Sequence, residues 1–322
     1  MAKVALVLGS GGARGLAQIG AIEVLKEHGH EIAAIAGTSV GALVGGLEAV
    51  GKLEEYRDWI LTFKQRDVLF MMDPALGSGG LVKAEKVFTT MRELYGDAQI
   101  EDLPFPYTAV ATDIGARREV WFQSGPLDVA VRASVSIPGF FMPVVVNGRL
   151  LVDGGVVNPV PMEPLLATQA DFTMAVTLSG GAPKDVSSSP AKESAKPQPS
   201  SQWGARFSKI ASGIWDNDFV NGIIQKFHKD DAQSEEPELS AWDQAIEPPP
   251  DGLSIAKVMS LTFDTMGSML TRYRMAAQVP DVLVEVPESS AATMDFHKGE
   301  ELIALGRSLT EEALDKYELE QG

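Results

Sequence analysis

The sequence predicts an α/β protein with a doubly wound, mostly parallel central sheet, helices on both faces and a flexible insert. The first indication is an apolar strand at residues 4–8, which passes through glycines into a helical pattern at residues 16–25. The second is another apolar run, at residues 32–36, which ends near a serine flanked by glycines and leads into a further helix. Strands and helices then alternate along the chain, an order typical of parallel sheets.

The later elements continue this alternation. They are a mostly helical stretch at 52–95, strands at 107–113, 118–122, 174–178 and 282–286, and helices at 126–133, at 254–277 and from residue 298 onward. Residues 144–152 predict a hairpin, because Asn147-Gly148 is a residue pair that tight two-residue turns require. This hairpin delivers Asp153 at its end.

Composition divides the chain into three regions. Residues 1–180 carry the sequence motifs, and residues 253–322 supply helices and a strand that complete the same domain. Between them, residues 181–252 hold two low-complexity linkers that flank an amphipathic segment at 203–229. This segment is either a helix docked permanently on the core or a lid that touches a lipid surface transiently, since an apolar stripe fits both.

Methionines follow one side of the helix predicted at 254–277. Met259, Met266 and Met269 recur at helical spacing. Methionine at such positions is usually core filler, because it adapts to irregular gaps. We therefore expect these side chains to be buried, with a flexible wall of an acyl-chain groove as the alternative.

Composition also disfavours several classes of protein. The formal net charge of −17 argues against nucleic acid as a partner, because phosphate binding requires a basic face. The chain has no cysteine, which excludes disulfides and thiolate metal sites. It shows no histidine pair at helical spacing and no acidic calcium loop, so we expect no metal and no cofactor. The oligomeric state stays open.

The start of the chain bears on its location. It enters a strand without a charged and then apolar leader, which favours a cytoplasmic protein. The apolar stretch at 32–50 contains several glycines, Ser39 and Glu48, so a strand, a turn and a helix fit it better than a membrane span. We expect contact with a membrane to be peripheral, through residues 203–229.

The most informative motif is Gly-Thr-Ser-Val-Gly at residues 37–41, which has the G-x-S-x-G pattern of a nucleophile elbow. Gly37 and Gly41 are needed because side chains there would crowd the sharp turn from strand to helix. Ser39 is therefore the candidate nucleophile. The pentapeptide alone is a weak signal in a chain with 31 glycines, so its context decides.

Two further motifs supply that context. The glycine-rich loop at residues 9–15 opens a helix, and its unpaired N–H groups suit the oxyanion of acyl transfer, for which each donor is worth about 3–4 kcal/mol. Far downstream, Asp153 ends a short apolar strand and is followed by Gly154 and Gly155, which leave room beside the carboxylate. Asp153 is the candidate general base.

A dinucleotide or phosphate site is the rival interpretation of the first loop, because a strand, glycines and a helix also open a Rossmann fold. The spacing of Gly9, Gly11 and Gly15 is one residue too long for that fingerprint, and the second strand has no ribose-binding acid at its tip. The chain also lacks a P-loop sequence. The pattern thus favours acyl transfer.

Taken together, the three loops resemble the patatin-like phospholipase family, specifically its compact bacterial members. Residues 11–15, which include Arg14 and Gly15, resemble the family's glycine-rich oxyanion loop, and residues 37–41 resemble its nucleophile elbow. Residues 153–155 resemble its D-G-[GA] motif, and residues 133–139 resemble a family segment that precedes the aspartate. The family usually has three consecutive glycines in the first loop, and Ser10 stands at the first of those places. The similarity covers most of the chain apart from the insert.

This resemblance implies a patatin-like fold and a Ser39–Asp153 dyad that hydrolyses lipid esters through an acyl-enzyme. The oxyanion hole is then expected from the N–H groups of Ser10, Gly11, Gly12 and Val40. An aspartate with an ordinary pKa of about 3.9 is a poor base, so Asp153 needs a partly desolvated setting or strong help from the oxyanion loop. Arg14 either stabilises the loop, approaches an anionic headgroup, or is a surface cation.

A triad would need a histidine, and among the four only His297 has the late position of a Ser, Asp, His order. Its neighbourhood predicts a helix start capped by Asp295, which favours a structural role. His28 and His30 flank a helix end, where capping explains them, and Asn158 is expected to be a turn residue.

The function that follows is a hydrolase of the phospholipase A or lysophospholipase type, acting on a lipid or acyl-ester substrate. A thioesterase or general carboxylesterase is the nearest alternative. From a different class, the alternative is a regulatory protein-binding module that keeps the fold. The intact Ser39 and Asp153 weigh against pure binding.

Overall fold

The computed structural model of the chain describes residues 1–66, 85–181 and 255–321. These residues belong to one compact unit, which comprises Met1–Lys184 and Ser254–Gly322. The predicted insert at 181–252, with its amphipathic segment at 203–229, lies outside the described residues apart from Gly181, and both hypotheses for it stay predictions. Among the described helices, none combines the length and apolar character needed to cross a membrane.

Within the described residues, eight strands form one mixed, mostly parallel sheet, which confirms the predicted fold class. The strands are β1 (Lys3–Leu8), β2 (Glu31–Thr38), β3 (Tyr107–Asp113), β4 (Arg118–Phe122), β5 (Val144–Val146), β6 (Arg149–Asp153), β7 (Phe172–Gly180) and β8 (Val282–Pro287). Hydrogen-bonded neighbours link the strands in the order β5-β6-β3-β2-β1-β7-β8, and β4 pairs with the other edge of β3. The inner strands β1, β2, β3 and β7 are parallel neighbours, whereas β4, β5 and β6 are antiparallel additions at one side.

Helices cover this sheet. They are α1 (Ala17–Glu27), α2 (Val40–Ala49), α3 (Leu53–Leu61), α4 (Glu85–Tyr95), α5 (Leu127–Ser134), α6 (Ile255–Ala277) and α7 (Gly299–Gln321). The alternation along β1 shows how the two faces differ. Leu6 and Leu8 enter the larger core together with side chains of α1, α2 and α7, while Val7 packs on the other face with Val160 and Met162.

The hairpin predicted before Asp153 is confirmed. Asn147 and Gly148 both have positive φ, 50° and 75°, as the tight turn between β5 and β6 requires. Asp153 is the last residue of β6, so the hairpin ends where the chain was expected to present its carboxylate.

Two expectations about the C-terminal region are wrong. Met259, Met266 and Met269 are 44%, 46% and 51% exposed, so they do not fill the core. They also do not line the pocket beside Ser39. Asp295 precedes the short 3-10 turn Phe296–Lys298 without a side-chain capping bond, because its carboxylate accepts the N–H of Ala292 instead.

The close contact between α1 and α7 generates a first prediction. A Cβ at Gly306 would lie 1.9 Å from the carbonyl oxygen of Ala17, so Gly306→Ala forces the two helices apart. We expect it to lower the free energy of unfolding by roughly 1–3 kcal/mol. In the control Gly267→Ala on α6, where the new Cβ meets nothing within 4 Å, we expect a gain of about 0.5–1 kcal/mol. Urea denaturation measures both, and equal effects would contradict the packing argument.

Candidate active site

Ser39 occupies the turn between β2 and α2 in a strained conformation. Its φ of 57° and ψ of −124° lie where a residue with a side chain is rarely found. The turn is possible because Cβ atoms at Gly37 and Gly41 would stand only 2.4 Å from the oxygen of Gly41 and 2.1 Å from the oxygen of Leu8. The backbone therefore has the form of the nucleophile elbow that the motif predicts.

The sheet brings Ser39 and Asp153 together. Strand β4 runs along one edge of β3, where it pairs with both Ala109 and Ala111. Ala109 also pairs with β2, and Ala111 also pairs with β6. Strands β2 and β6 must therefore both lie along the other edge of β3. They run along this edge in opposite directions. The end of β2 lies beside Val110, the partner of Thr38, and the end of β6 lies beside Ala111, the partner of Asp153. Two residues more than 100 positions apart thereby meet at one point.

The carboxyl group of Asp153 is buried, with a residue exposure of 3%. Its Oδ1 accepts the N–H of Gly155 at 2.7 Å, whereas Oδ2 has no partner of good hydrogen-bond geometry among the described atoms. Burial raises the pKa of Asp153 to about 7, although the Ser39 hydroxyl and the Gly155 N–H each favour the charged form and limit the rise. The desolvated setting expected of the base is therefore present.

Two serines before Asp153 hold Ser39 and Asp153 in place, and the sequence predicted no role for them. Ser134 is fully buried at the end of α5; its Oγ accepts the N–H of Ser39 at 2.8 Å and donates to the oxygen of Val110 at 2.6 Å. The backbone oxygen of Ser136 accepts the N–H of Asp153 at 2.9 Å. Their segment resembled a family segment, but these long-range bonds left no local signal.

The glycine loop lies beside Ser39 and Asp153, but it offers fewer free N–H donors than predicted. The N–H of Ser10 donates to the oxygen of Pro159 at 2.8 Å, so it is not a free donor. Within the described ranges, the N–H groups of Gly11, Gly12 and Val40 have no backbone acceptor. Gly12 and Val40 line the same pocket as Ser39, and Gly12 also lines the pocket of Asp153.

The remaining motif glycines allow close packing around the site. A Cβ at Gly15 would lie 2.2 Å from Cγ1 of Val40, and one at Gly154 would lie 2.1 Å from the oxygen of Val110. A Cβ at Gly155 would lie 2.6 Å from the hydroxyl oxygen of Ser10. The three loops therefore touch one another directly.

Arg14 is buried, with an exposure of 5%, so the surface-cation interpretation is wrong. Its Nε donates to the oxygen of Gly11 at 3.1 Å, and its Nη2 donates to Oδ1 of Asp264 on α6 at 3.1 Å. Arg14 thus stabilises the loop, which was one of its expected roles. It also ties the loop to α6, which the sequence did not indicate.

Asn158 lies in a turn, as expected, because its N–H donates to the oxygen of Gly154 at 2.8 Å. Its side chain is fully buried and makes contacts that the sequence did not indicate. Its Nδ2 donates to Glu119 Oε2 at 2.6 Å and to Glu163 Oε2 at 3.2 Å, and its backbone oxygen accepts the Thr38 hydroxyl at 2.8 Å. Arg274 on α6 pairs with Glu163 and donates to the oxygen of Val157 at 3.1 Å. This polar network supports Thr38, the residue before Ser39, and the segment after Asp153.

An apolar pocket opens at Ser39 and encloses about 790 Å³, its open mouth included. Its wall is almost entirely hydrophobic and includes Leu43, Trp59, Phe88, Met91, Phe141 and Phe296. A second pocket lies on the side of Asp153, between the glycine loop and α6, and is lined by Arg14, Phe263 and Asp264 among others. Ser39 and Asp153 therefore lie between an apolar pocket and a more polar one.

Within the described residues, no histidine contacts Ser39 or Asp153. His297 lies half-buried in the short turn Phe296–Lys298, and His28 and His30 lie at the far end of α1. His228 is outside the described residues. A serine and an aspartate are thus the groups that the described structure places together.

The chain is similar to proteins of one known family. Residues 6–166 match the patatin-like phospholipase family. An uncharacterized NTE family protein of Mycobacterium bovis is 39% identical over 340 residues, covering 99% of this chain and 93% of that protein. Patatin-like phospholipase domain-containing protein 7 of Mus musculus is 34% identical over 182 residues, 54% of this chain and 13% of its own length. A lysophospholipase of Aspergillus oryzae is 32% identical over 181 residues, 54% of this chain and 12% of its own.

The matched residues include all three loops whose geometry is described above. The relative from Mycobacterium bovis extends the similarity over nearly the whole chain. Membership supports lipid ester hydrolysis as the class of activity. The chain belongs to the patatin-like phospholipase family.

Proposed function

We propose that this protein hydrolyses carboxylic esters of lipids, with Ser39 as the nucleophile and Asp153 as its general base. The observation that carries the proposal is the buried carboxyl of Asp153 beside the strained Ser39, with no histidine between them in the described structure. A carboxylate whose pKa lies near 7 is a better proton acceptor than an ordinary aspartate, because general bases work best near the operating pH.

The reaction follows from these two groups. Ser39 Oγ forms a bond to the ester carbonyl carbon while its proton passes to Asp153. The tetrahedral intermediate then collapses, the C–O bond to the alcohol breaks, and the alcohol leaves with the proton from Asp153. Water next gives a proton to Asp153 and attacks the acyl-enzyme. The fatty acid leaves and Ser39 recovers its proton.

We assign the oxyanion hole to the N–H groups of Gly11, Gly12 and Val40, and leave out Ser10 because its N–H is already bonded. Val40 is the first residue of α2, and the first N–H groups of a helix lack partners within the helix. These donors are held rigidly, so they need little rearrangement when the oxyanion forms.

The substrate class is inferred from the pocket beside Ser39. A nearly all-apolar wall excludes water from an acyl chain and gains free energy with each buried methylene, about 0.8 kcal/mol. The more polar pocket on the Asp153 side suits the leaving alcohol, such as the headgroup side of a phospholipid or lysophospholipid. The lysophospholipase named among the relatives supports this choice. Thioesters fit the same chemistry and remain the alternative substrate.

Labelling with a fluorescent fluorophosphonate tests the dyad. We expect Ser39→Ala to abolish labelling and Asp153→Asn to slow it at least a hundredfold, since general-base catalysis contributes about 10²–10⁴-fold. The control Ser10→Ala removes another serine beside the pocket and should label like the parent. The labelling rate of the parent should rise as pH increases through about 7, where Asp153 loses its proton. Labelling that persists in Ser39→Ala would exclude the dyad.

The raised pKa of Asp153 also predicts a stability change. Between about pH 4 and 7 the folded protein holds a proton that the unfolded chain has lost, so stability falls as the pH rises. Asp153→Asn removes this loss, which is on the order of 4 kcal/mol. We expect the variant to melt above the parent at pH 8, with a smaller advantage at pH 5. Asp315→Asn, a change at an exposed site, serves as the control. The same difference at both pH values would show that Asp153 is not the cause.

The apolar pocket predicts chain-length selectivity. Leu43 lies one helical turn after Ser39 and lines this pocket, so Leu43→Trp fills space that a long acyl chain needs. We expect kcat/KM for long-chain esters to fall about tenfold or more, which corresponds to the loss of two buried methylenes. Short-chain esters should change little. Leu166→Trp, at a site 69% exposed, is the control. A loss that is equal for short and long esters would place the acyl chain elsewhere.

A further inference from the structure

Three side chains of metal-ligating type converge at a corner of the fold away from Ser39. His28 caps the C-terminal end of α1, His30 precedes β2, and Glu318 lies near the end of α7. One ligand atom from each lies within 4.8 Å of the other two. None of the three lines either pocket of the candidate active site.

We propose that His28, His30 and Glu318 form a site for a divalent transition-metal ion of the zinc type. Two imidazoles and one carboxylate are a donor set that Zn²⁺ takes readily, with water in the fourth position. The proposal is independent of the hydrolase chemistry. It revises the sequence expectation of no metal, which considered histidine pairs at helical spacing and could not place a glutamate from the far end of the chain beside them.

The hydrogen bonds of His28 suit a ligand. Its Nε2 pairs with Glu311 Oε2 at 2.7 Å, and its Nδ1 stands 4.0 Å from Glu318 Oε1. Metal-bound histidines usually hold their other nitrogen against a carboxylate, which orients the ring. Glu311 and Glu318 lie two helical turns apart on α7, so one carboxylate supports the ring while the other faces the metal position.

The distances require only a small closure. Two ligands of a tetrahedral Zn²⁺, each about 2.0–2.1 Å from the ion, lie about 3.3 Å from one another. The cluster atoms are up to 4.8 Å apart, so they must approach by about 1–1.5 Å. Glu318 can make this movement because its side chain is 60% exposed, whereas His28 is held by Glu311 and only 25% exposed.

One ring nitrogen of His30 has no hydrogen-bond partner among the described residues. Its Nδ1 is buried without a hydrogen bond within the described part of the chain, and its ring packs edge-on against Phe172 at 5.3 Å between centroids. The rings of His28 and His30 are nearly parallel, 6.2 Å apart, around Gly29. The net charge of −17 also favours uptake of a cation. A bound ion would tie α7 to the junction between α1 and β2.

The test measures Zn²⁺ binding by calorimetry to untagged, EDTA-treated protein. We expect saturable uptake of one ion per chain, a rise in melting temperature with Zn²⁺ that EDTA reverses, and visible absorption typical of tetrahedral coordination when Co²⁺ replaces Zn²⁺. Glu318→Gln and His30→Ala should each weaken binding at least tenfold. Glu320→Gln, the same change two residues along on α7, should leave it unchanged.

The variants also separate the other outcomes. Equal Zn²⁺ affinity in Glu318→Gln and Glu320→Gln would overturn the proposal, because His228 and the surface carboxylates are common to both. Absence of saturable binding in the parent would overturn it as well. Circular dichroism at room temperature confirms that each variant is folded before it is compared.

Discussion

The site depends on one constraint, the meeting of two antiparallel strand ends on a single edge of β3. The end of β2 lies beside Val110, and the end of β6 lies beside Ala111. Ser39, which follows β2, and Asp153, which ends β6, must therefore be neighbours. The oxygen of Val110 also accepts the hydroxyl of Ser134, which in turn accepts the N–H of Ser39. Because β3 is buried over its whole length, this edge cannot shift without disrupting the core.

Burial of Asp153 follows from the same arrangement and has a cost. An ionised carboxylate away from water is unfavourable, and the hydrogen bond from the Gly155 N–H offsets only part of this penalty. The strained φ of Ser39 adds a further cost of about 1–3 kcal/mol. Both penalties fall on the two residues that we propose as nucleophile and general base. Such a distribution is expected where stability is exchanged for reactivity.

The parts of the site that the sequence predicted are those fixed by local geometry. Ser39 sits between glycines that its own turn requires, and Asn147-Gly148 specifies the hairpin that ends at Asp153. The residues that were missed or misjudged act over long separations. Ser134 bonds to Ser39, and the Asn158 side chain bonds to Glu119. Glu318 in the C-terminal helix lies close to His28 and His30 at the end of the first helix. No short sequence pattern marks contacts over such separations.

Helix α6 shows why its expected orientation was wrong. On a helical wheel, Asp264, Thr271 and Arg274 share one face, and Met266, Met269 and Tyr273 share the opposite one. The polar face turns inward, because Asp264 pairs with the buried Arg14 and Arg274 pairs with Glu163, which also accepts a bond from Asn158. The apolar face is exposed. Hydrophobic periodicity assumes that the core side of a helix is apolar. Here that side packs on the two loops of the candidate site, whose buried charges require partners, so electrostatics sets the orientation of the helix.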